Sequence, residues 1–185
     1  SWVTRFDHEL QETVRQAEQV PVLINYRVGR SRFEKIPDEN DLSLLEELSN
    51  AEINPHPPIK PLPPGYNTEQ PIKSHGFTHV HHFFTRRNLL LLTQFWAEVQ
   101  SLEGAEARAA GLYVLTGAVQ RVCRLNRYMP NHDRHVGPLS GTLYVAPLTA
   151  EIPATHYMRS RIKDIRRCAT GPRGKGVLIG TQSAT

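Results

Sequence analysis

Prolines are concentrated in one part of this chain, and they limit what it can fold into more than any other residue type. Residues 54–74 contain seven of the 14 prolines, including Pro57-Pro58 and Pro63-Pro64. Because proline fixes φ and has no backbone N–H, we expect neither a helix nor a sheet ladder to pass through these residues. The sequence therefore predicts an extended connector across the surface. A PxxP-type site for a partner domain is the less favoured alternative.

The connector divides the chain into an N-terminal part, residues 1–53, and a C-terminal part, residues 75–185. In the N-terminal part, apolar residues spaced four and three apart predict an amphipathic helix over residues 6–18. Residues 22–36 contain two β-prone runs around a glycine-containing turn, which predicts a hairpin. A second amphipathic helix, exposed to solvent, is expected over residues 41–50.

The C-terminal part begins with the most apolar helical pattern of the chain. Thr85 is a suitable N-cap for a helix over residues 86–102, whose wide apolar stripe predicts burial. A second helix is expected over residues 105–126, and its small residues permit close packing against the first. We therefore predict an antiparallel helix pair at the centre of the fold. The apolar stripe of the first helix consists of Leu89, Leu92, Phe95, Trp96 and Val99.

After the helix pair, the sequence predicts a strand, a helix and a further strand. The first strand is expected over residues 141–145, and the helix over residues 153–169. Residues 171–174 predict a turn, and residues 176–180 predict a short buried strand. The predicted fold class is α/β, mainly helical with a small sheet. The residues of the last helix that are expected to point inward are Met158, Ile162 and Ile165.

Positive charge is concentrated in one third of the chain. Residues 121–175 contain 11 basic and three acidic residues, a net charge of +8, whereas residues 1–120 have a net charge of −4. A field of one sign attracts polyanions such as nucleic acid, although a merely solvated basic face is the alternative. Four cations of the last predicted helix are expected to point outward, where they can neutralise phosphates. They are Arg159, Lys163, Arg166 and Arg167.

Residues 126–145 are too polar to be core and combine amides, arginines, histidines and glycines. Ordering such a loop costs about 1 to 2 kcal/mol of backbone entropy per residue, which favours a bound partner or a neighbouring element that pins it. Its amides and arginines match base edges, its tyrosine can stack on an unpaired base, and its histidines can contact phosphates. The predicted nucleic-acid contacts in this loop are Asn126, Arg127, Tyr128, Asn131, Arg134 and His135.

Four histidines lie close together, at positions 75, 79, 81 and 82. Imidazoles at this density can bind a metal, but zinc sites also recruit cysteine or acidic ligands, and residues 74–84 contain none. We therefore favour an interfacial loop of aromatic and imidazole rings and predict no metal site. The two cysteines, Cys123 and Cys168, form no CxxC pair, so neither a disulfide framework nor a cysteine zinc site is expected.

The sequence contains no motif of a self-contained enzyme. GxSxG, HExxH, GxxxxGK[ST] and GxGxxG are all absent, so no residue of this chain is predicted to be catalytic. No window approaches the roughly 18 to 20 apolar residues that cross a bilayer, and residues 1–8 lack the apolar core of a secretory signal. We expect a soluble, cytoplasmic chain without a membrane partner.

Several segments resemble a known family. FTRRNLLLL at residues 84–92, NRYMP at 126–130 and GPLSGTLYV at 137–145 resemble the central part of the S-adenosylmethionine-dependent adenine-N6 DNA methyltransferases with a DPPY-type motif. GTQSAT at residues 180–185 resembles the strand that precedes that motif. The resemblance covers about residues 75–185. It implies DNA as a partner and S-adenosylmethionine as the methyl donor of the parent protein.

The same resemblance implies what these residues lack. In that family an Asp-Pro-Pro-aromatic loop holds the amino group of the flipped adenine, and a glycine-rich loop holds the methyl donor. Neither loop occurs in this sequence, and residues 26–35 lack the paired cysteines of the zinc-ribbon-like hairpin that related proteins can carry. The implied chain is an internal fragment of a DNA methyltransferase that supplies DNA contacts and scaffold, is inactive alone and binds no cofactor itself.

On this hypothesis the remainder of the parent methyltransferase is a partner, and catalysis lies C-terminal to Thr185. Two alternatives stay open. The first is a non-enzymatic nucleic-acid-binding module. The second is a structural or protein-interaction domain in which the proline-rich connector and the histidine loop contact a partner.

Overall fold

The computed structural model describes residues 1–132 and 134–170, which form five α-helices and three two-stranded antiparallel sheets. This confirms a mixed α/β class that is mainly helical. Single 3₁₀ turns occupy Val80–Phe83 and Pro130–His132. In chain order the elements are β1 (Trp2–Asp7), β2 (Glu12–Ala17), β3 (Ile24–Val28), β4 (Ser31–Lys35), α1 (Glu39–Asn50), α2 (Tyr66–His75), α3 (Arg86–Ser101), α4 (Ala105–Arg121), β5 (Arg127–Met129), β6 (Arg134–Val136) and α5 (Ala154–Thr170).

The first residues form a hairpin, so the predicted helix over residues 6–18 is wrong. β1 pairs with β2 in register over all six residues of each strand. The Asp7 carboxylate accepts hydrogen bonds from the backbone N–H groups of Glu9 and Leu10 and thereby closes the turn. Such side-chain bonds compete with the helical ladder. Along β2, Val14 and Gln16 are the more buried of alternate residues, which is the period of a strand.

The predicted hairpin and the helix after it are confirmed. β3 and β4 pair from Ile24 opposite Lys35 to Val28 opposite Ser31. Gly29 has a φ of 62° in the two-residue turn, a conformation that glycine adopts at low cost. α1 starts after Asp38, whose side chain accepts from the backbone N–H of Asp41 in a capping box. None of the residues of α1 is buried, as expected.

The proline-rich segment contains a helix, so the prediction that no helix passes through residues 54–74 is wrong. α2 includes Pro71, whose missing N–H removes one helical hydrogen bond. The Thr68 hydroxyl lies 2.6 Å from the Pro63 carbonyl oxygen and 2.8 Å from that of Gly65, and its single hydrogen bond to these carbonyls stabilises the first turn. Gly76 ends the helix with a φ of 70°. Residues 54–64 contain no helix or strand, only bends at residues 54, 55 and 64 and one isolated bridge from Pro61 to His79.

α3 and α4 form the predicted antiparallel pair. Asn88 of α3 lies against the end of α4 at Val122, and Gly111 near the start of α4 lies against Val99 near the end of α3. A Cβ at position 111 would come within 2.5 Å of the Val99 side chain, so glycine permits this close approach. The core cluster around the pair consists of Leu92, Val114, Ala118, Val122, Ala154 and Met158.

α4 ends at Arg121, five residues before the predicted end at residue 126. α5 agrees closely with its prediction: Met158 is buried, and Ile162 and Ile165 pack against the core. Residues 141–145 are not a strand. The segments that pair in this region are β5 with β6 on one side, and β5 with residues 148–150 on the other. Val145 lies instead in a second buried cluster with Phe77 and Phe83.

The turn predicted over residues 171–174 and the strand over residues 176–180 lie outside the described residues. Within the part of the chain that the structure describes, no helix has the length and apolarity needed to cross a bilayer.

Candidate functional site

The predicted nucleic-acid contacts lie in two places, which the segment of residues 148–153 connects. The first is β5 with its neighbours. β5 pairs with β6, and on its other edge the backbone N–H of Tyr128 donates to the Leu148 carbonyl at 3.0 Å. The Ala150 N–H donates back to the Asn126 carbonyl, also at 3.0 Å. The polar loop is therefore pinned by a neighbouring segment, and that segment continues directly into α5.

The structure separates the predicted contacts of this loop into accessible and inaccessible side chains. Arg127 and Tyr128 are half-buried, and Asn131 is exposed. The Arg127 Nε donates to the Gly137 carbonyl at 3.3 Å, which steadies the guanidinium near the surface. Arg134 and His135 belong to β6, where their backbones lie opposite Met129 and Tyr128.

Asn126 is a correction to the predicted set. It is fully buried, and its Nδ2 donates to the carbonyls of Arg121 and Cys123 at 2.8 and 2.7 Å. The side chain therefore terminates α4 by satisfying carbonyls that the helix leaves unpaired. A side chain enclosed in this way does not reach a nucleic acid, and we remove Asn126 from the candidate contacts.

The second place is the outer face of α5. Arg159, Lys163, Arg166 and Arg167 are all exposed, and their spacing of three and four residues places them on one side of the helix. The apolar residues of α5 occupy the opposite side. The only acidic residue of the helix, Asp164, pairs with Arg161 at 3.5 Å. Among the described residues, Arg159, Lys163 and Arg167 have no ion-pair partner.

A third constellation is buried and joins residues far apart in the sequence. The Asp7 Oδ2 lies 3.1 Å from the Nε2 of His81 and 2.8 Å from the Nε2 of His82. All three residues are buried, with at most 9% of any of them exposed. His81 and His82 come from the Val80–Phe83 turn, so the cluster fastens the first hairpin to the histidine loop.

The hydrogen bonds of the cluster set its protonation. Burial opposes ionisation of Asp7, but the bonds from His81, His82 and the Leu10 N–H together hold the pKa of this carboxyl well below its usual range. Burial lowers the pKa of His82, and the bond to Asp7 offsets this only in part. His82 is therefore neutral near pH 7, and Asp7 is ionised.

The same three atoms could be considered as metal ligands, since they lie within 4.8 Å of one another. The bonds of His82 argue against that use. Its Nδ1 accepts from the backbone N–H groups of Thr78 at 3.1 Å and His79 at 3.4 Å, so the ring hydrogen of the neutral form is on Nε2, facing Asp7. A metal-bound histidine has the reverse arrangement, in which the second ring nitrogen donates. We interpret the cluster as a hydrogen-bonded structural clamp.

A second bond network reinforces this clamp. The Arg86 Nη1 donates to both carboxylate oxygens of Glu9, at 2.9 and 2.8 Å, and its Nε donates to the Ala51 carbonyl at 2.6 Å. Glu9 lies in the same turn as Asp7, and its side chain is only 6% exposed. The turn of the first hairpin therefore carries two buried carboxylates, each paired with the start of the helical body.

The sequence prediction missed Asp7 and Glu9 because no residue near the histidines in the chain is acidic. Asp7 lies 74 positions before His81. His81 and His82 lie buried between the first hairpin and the helical body, and the interfacial role of the histidine loop toward a partner stays a prediction.

Comparison with family models, with curated protein sequences and with solved structures gives no significant match.

Proposed function

We propose that this chain is an internal part of a DNA adenine-N6 methyltransferase, and that it contributes DNA contacts and scaffold while the rest of the parent protein performs catalysis. The observation that carries the proposal is the exposed cationic face of α5, which follows the segment paired with β5. The sequence resemblance of residues 84–92, 126–130 and 137–145 supports the choice of a methyltransferase among DNA-binding proteins.

The face of α5 suits a polyanion. From Arg159 to Arg167 the helix advances about 12 Å, at about 1.5 Å per residue, so the cations can meet several phosphates of one DNA backbone. Each exposed cation that neutralises a phosphate releases a counterion, which drives binding at low salt. An exposed ion pair within the protein would contribute little by comparison, about 0 to 1 kcal/mol.

Base edges would be met by the neighbouring loop. Arg127 and Asn131 offer donors, and Tyr128 offers an aromatic face, next to the segment that leads into α5. Arg134 and His135 complete this set. The catalytic loop and the binding site for S-adenosylmethionine are assigned to the rest of the parent, and the location is proposed to be the cytoplasm.

A non-enzymatic nucleic-acid-binding module is the second candidate, because the same cationic face would serve it equally well. The sequence encoded after Thr185 separates the two. The methyltransferase proposal expects an Asp-Pro-Pro-aromatic motif soon after it, and a continuation without such a motif would remove the proposed activity while leaving DNA binding intact.

DNA binding is tested by fluorescence anisotropy of a labelled duplex with the whole chain at increasing salt. The logarithm of the affinity should fall linearly with that of the salt concentration, by about 0.9 per phosphate contact. The variant R159Q/K163Q/R167Q should weaken binding and flatten the slope by up to about 2.7, since it removes three cations.

The matched control is K60Q/K73Q/R108Q, which removes three exposed cations elsewhere. Equal losses of DNA affinity in the two triple variants would show that binding depends only on the net charge of the chain. An unchanged salt slope in the α5 variant would contradict the proposed phosphate contacts.

A further inference from the structure

Within the described residues, the β3–β4 hairpin packs little against the rest of the chain. Eight of its ten strand residues are exposed, and only Ile24 and Lys35 at its base are half-buried. An isolated two-stranded hairpin is marginally stable in water. The base is held in place: the Lys35 Nζ lies 3.0 Å from the Asp38 Oδ2 and 2.7 Å from the Asp41 Oδ2, at the start of α1. The ribbon beyond this base projects into solvent.

The two faces of the ribbon have different chemistry. On one face Tyr26 stacks on Phe33, with ring centroids 5.6 Å apart and an angle of 26° between the rings. Both rings are more than 40% exposed. On the other face Arg27 lies directly opposite Arg32, and Arg30 lies in the turn between the strands.

The arrangement of the arginines is unfavourable for folding. Like charges directly opposite each other destabilise a strand pair. Within the described chain, Arg27, Arg30 and Arg32 have neither an ion pair nor a side-chain hydrogen bond that would offset this repulsion. Glu34 lies on the same face but opposite Asn25. The three guanidinium groups at the end of the ribbon are therefore available to an anion outside the chain.

Duplex DNA fits this ribbon in charge and in shape. Arginine binds phosphates and the O6 and N7 acceptors of guanine in a bidentate manner. The major groove is about 12 Å wide and admits a two-stranded β-ribbon, which several DNA-binding proteins place there. The stacked Tyr26 and Phe33 stiffen the part of the ribbon that projects beyond its base.

We infer that the β3–β4 hairpin is a second DNA-binding element, which enters a groove of the duplex with Arg27, Arg30 and Arg32 in contact with phosphates and base edges. This inference rests on the proposed function only in taking duplex DNA as the ligand. It assigns binding to a part of the chain outside the segments that resemble the methyltransferases.

The test uses the whole chain and a labelled duplex of mixed sequence, with anisotropy measured over a range of salt. R27Q/R30Q/R32Q is compared with R159Q/K163Q/R167Q and with the control K60Q/K73Q/R108Q, so that every variant loses three positive charges. The hairpin variant should bind at least about tenfold more weakly at low salt than the control, with a salt slope smaller by about 2 to 3. R27K/R30K/R32K, which retains the charge but not the bidentate geometry, should show an intermediate loss.

The possible outcomes separate the two proposals. If the α5 variant loses affinity and the hairpin variant behaves like the control, the hairpin inference is overturned and the proposed function stands. If the hairpin variant alone loses affinity, the inference holds and the role of α5 fails. If the unmodified chain does not bind duplex DNA, both fail.

Single-stranded RNA and polyglutamate serve as competitors. Stronger competition by either one than by unlabelled duplex would assign the ribbon to another partner and overturn the inference. Because the substituted side chains are exposed, the variants should retain the circular dichroism spectrum and thermal midpoint of the parent chain. A hairpin variant that unfolds would show instead that the arginines are structural.

Discussion

The hairpins β1–β2 and β3–β4 are similar in size and follow each other in the chain, but charge is used in opposite ways in them. The turn of β1–β2 carries Asp7 and Glu9, and both carboxylates are buried against partners in the helical body. The end of β3–β4 carries arginines with no partner among the described residues. The turn of the first hairpin is fastened to the helical body, and the second hairpin extends into solvent.

The difference teaches how a charged side chain can be assigned a structural or a binding role. A buried charge is tolerated only when the fold supplies its partners, so removing one partner is costly. Substitutions around an exposed cation change the stability of the fold little, so such a cation is free to neutralise the charge of a ligand. Burial and pairing of charge, taken together, therefore separate a clamp from a contact surface in this protein.

The largest effect is expected for Asp7→Ala. This substitution leaves the two buried imidazole N–H groups and the turn N–H groups without their acceptor, and should lower the free energy of unfolding by about 3 to 5 kcal/mol, since each buried donor without a partner costs about 1 to 3 kcal/mol. Urea denaturation measures the loss. Glu34→Ala in the second hairpin is the control and should change stability by less than about 0.5 kcal/mol. Similar losses in the two variants would remove the distinction between the hairpins.

A smaller effect is expected for the glycines beside each hairpin. A Cβ at position 76 would lie 2.2 Å from the Arg15 carbonyl oxygen of β2. The backbone of Gly76 also has a φ of 70°, which adds the cost of a left-handed conformation for any other residue. Gly76→Ala should lower the free energy of unfolding by about 2 to 4 kcal/mol. Gly29→Ala, at a φ of 62° with open space around it, should cost only about 1 kcal/mol. Thermal unfolding of both variants checks the order, and a reversed order would contradict the close contact of Gly76 with β2.

The smallest effect is expected for pH. Because the pKa of His82 is below its ordinary value of 6.5 in the folded protein, the unfolded chain binds a proton below about pH 6.5 that the folded chain does not. The free energy of unfolding should therefore fall by about 1 kcal/mol from pH 7.5 to 5.5. Urea titrations should show a weaker dependence for His82→Gln and an unchanged one for the exposed His56→Gln. A stability that rises on acidification would mean that His82 is protonated against Asp7.

Much of the fold could be predicted because its signals are local. The caps Asp38 and Thr85 define the starts of α1 and α3, and the turn at Gly29 defines the second hairpin. The outward cations of α5 follow from its amphipathic period. α2 was not predicted because a proline removes one helical hydrogen bond, whereas the turn around Thr68 and the cap at Gly76 stabilise the two ends of the helix.

The buried clamp could not be predicted from neighbouring residues. Asp7 and Glu9 become partners of His82 and Arg86 only after the first hairpin docks on the helical body. The same limit applies to Asn126: its amide chemistry suits a base edge, but tertiary packing encloses it. The sequence shows which side chains have the chemistry to contact a ligand, but it does not show which of them the folded chain buries.

Asn88 restricts which sequences can build this helical body. Its Nδ2 donates to the carbonyls of Val122 and Ile152 at 3.0 and 2.9 Å, and its Oδ1 accepts from the Ala154 N–H at 3.0 Å. Aspartate has no donor, leucine has neither group, and glutamine places its amide one methylene further out. Position 88 therefore has little freedom to vary, because this one amide side chain joins the start of α3 to the end of α4 and to the start of α5.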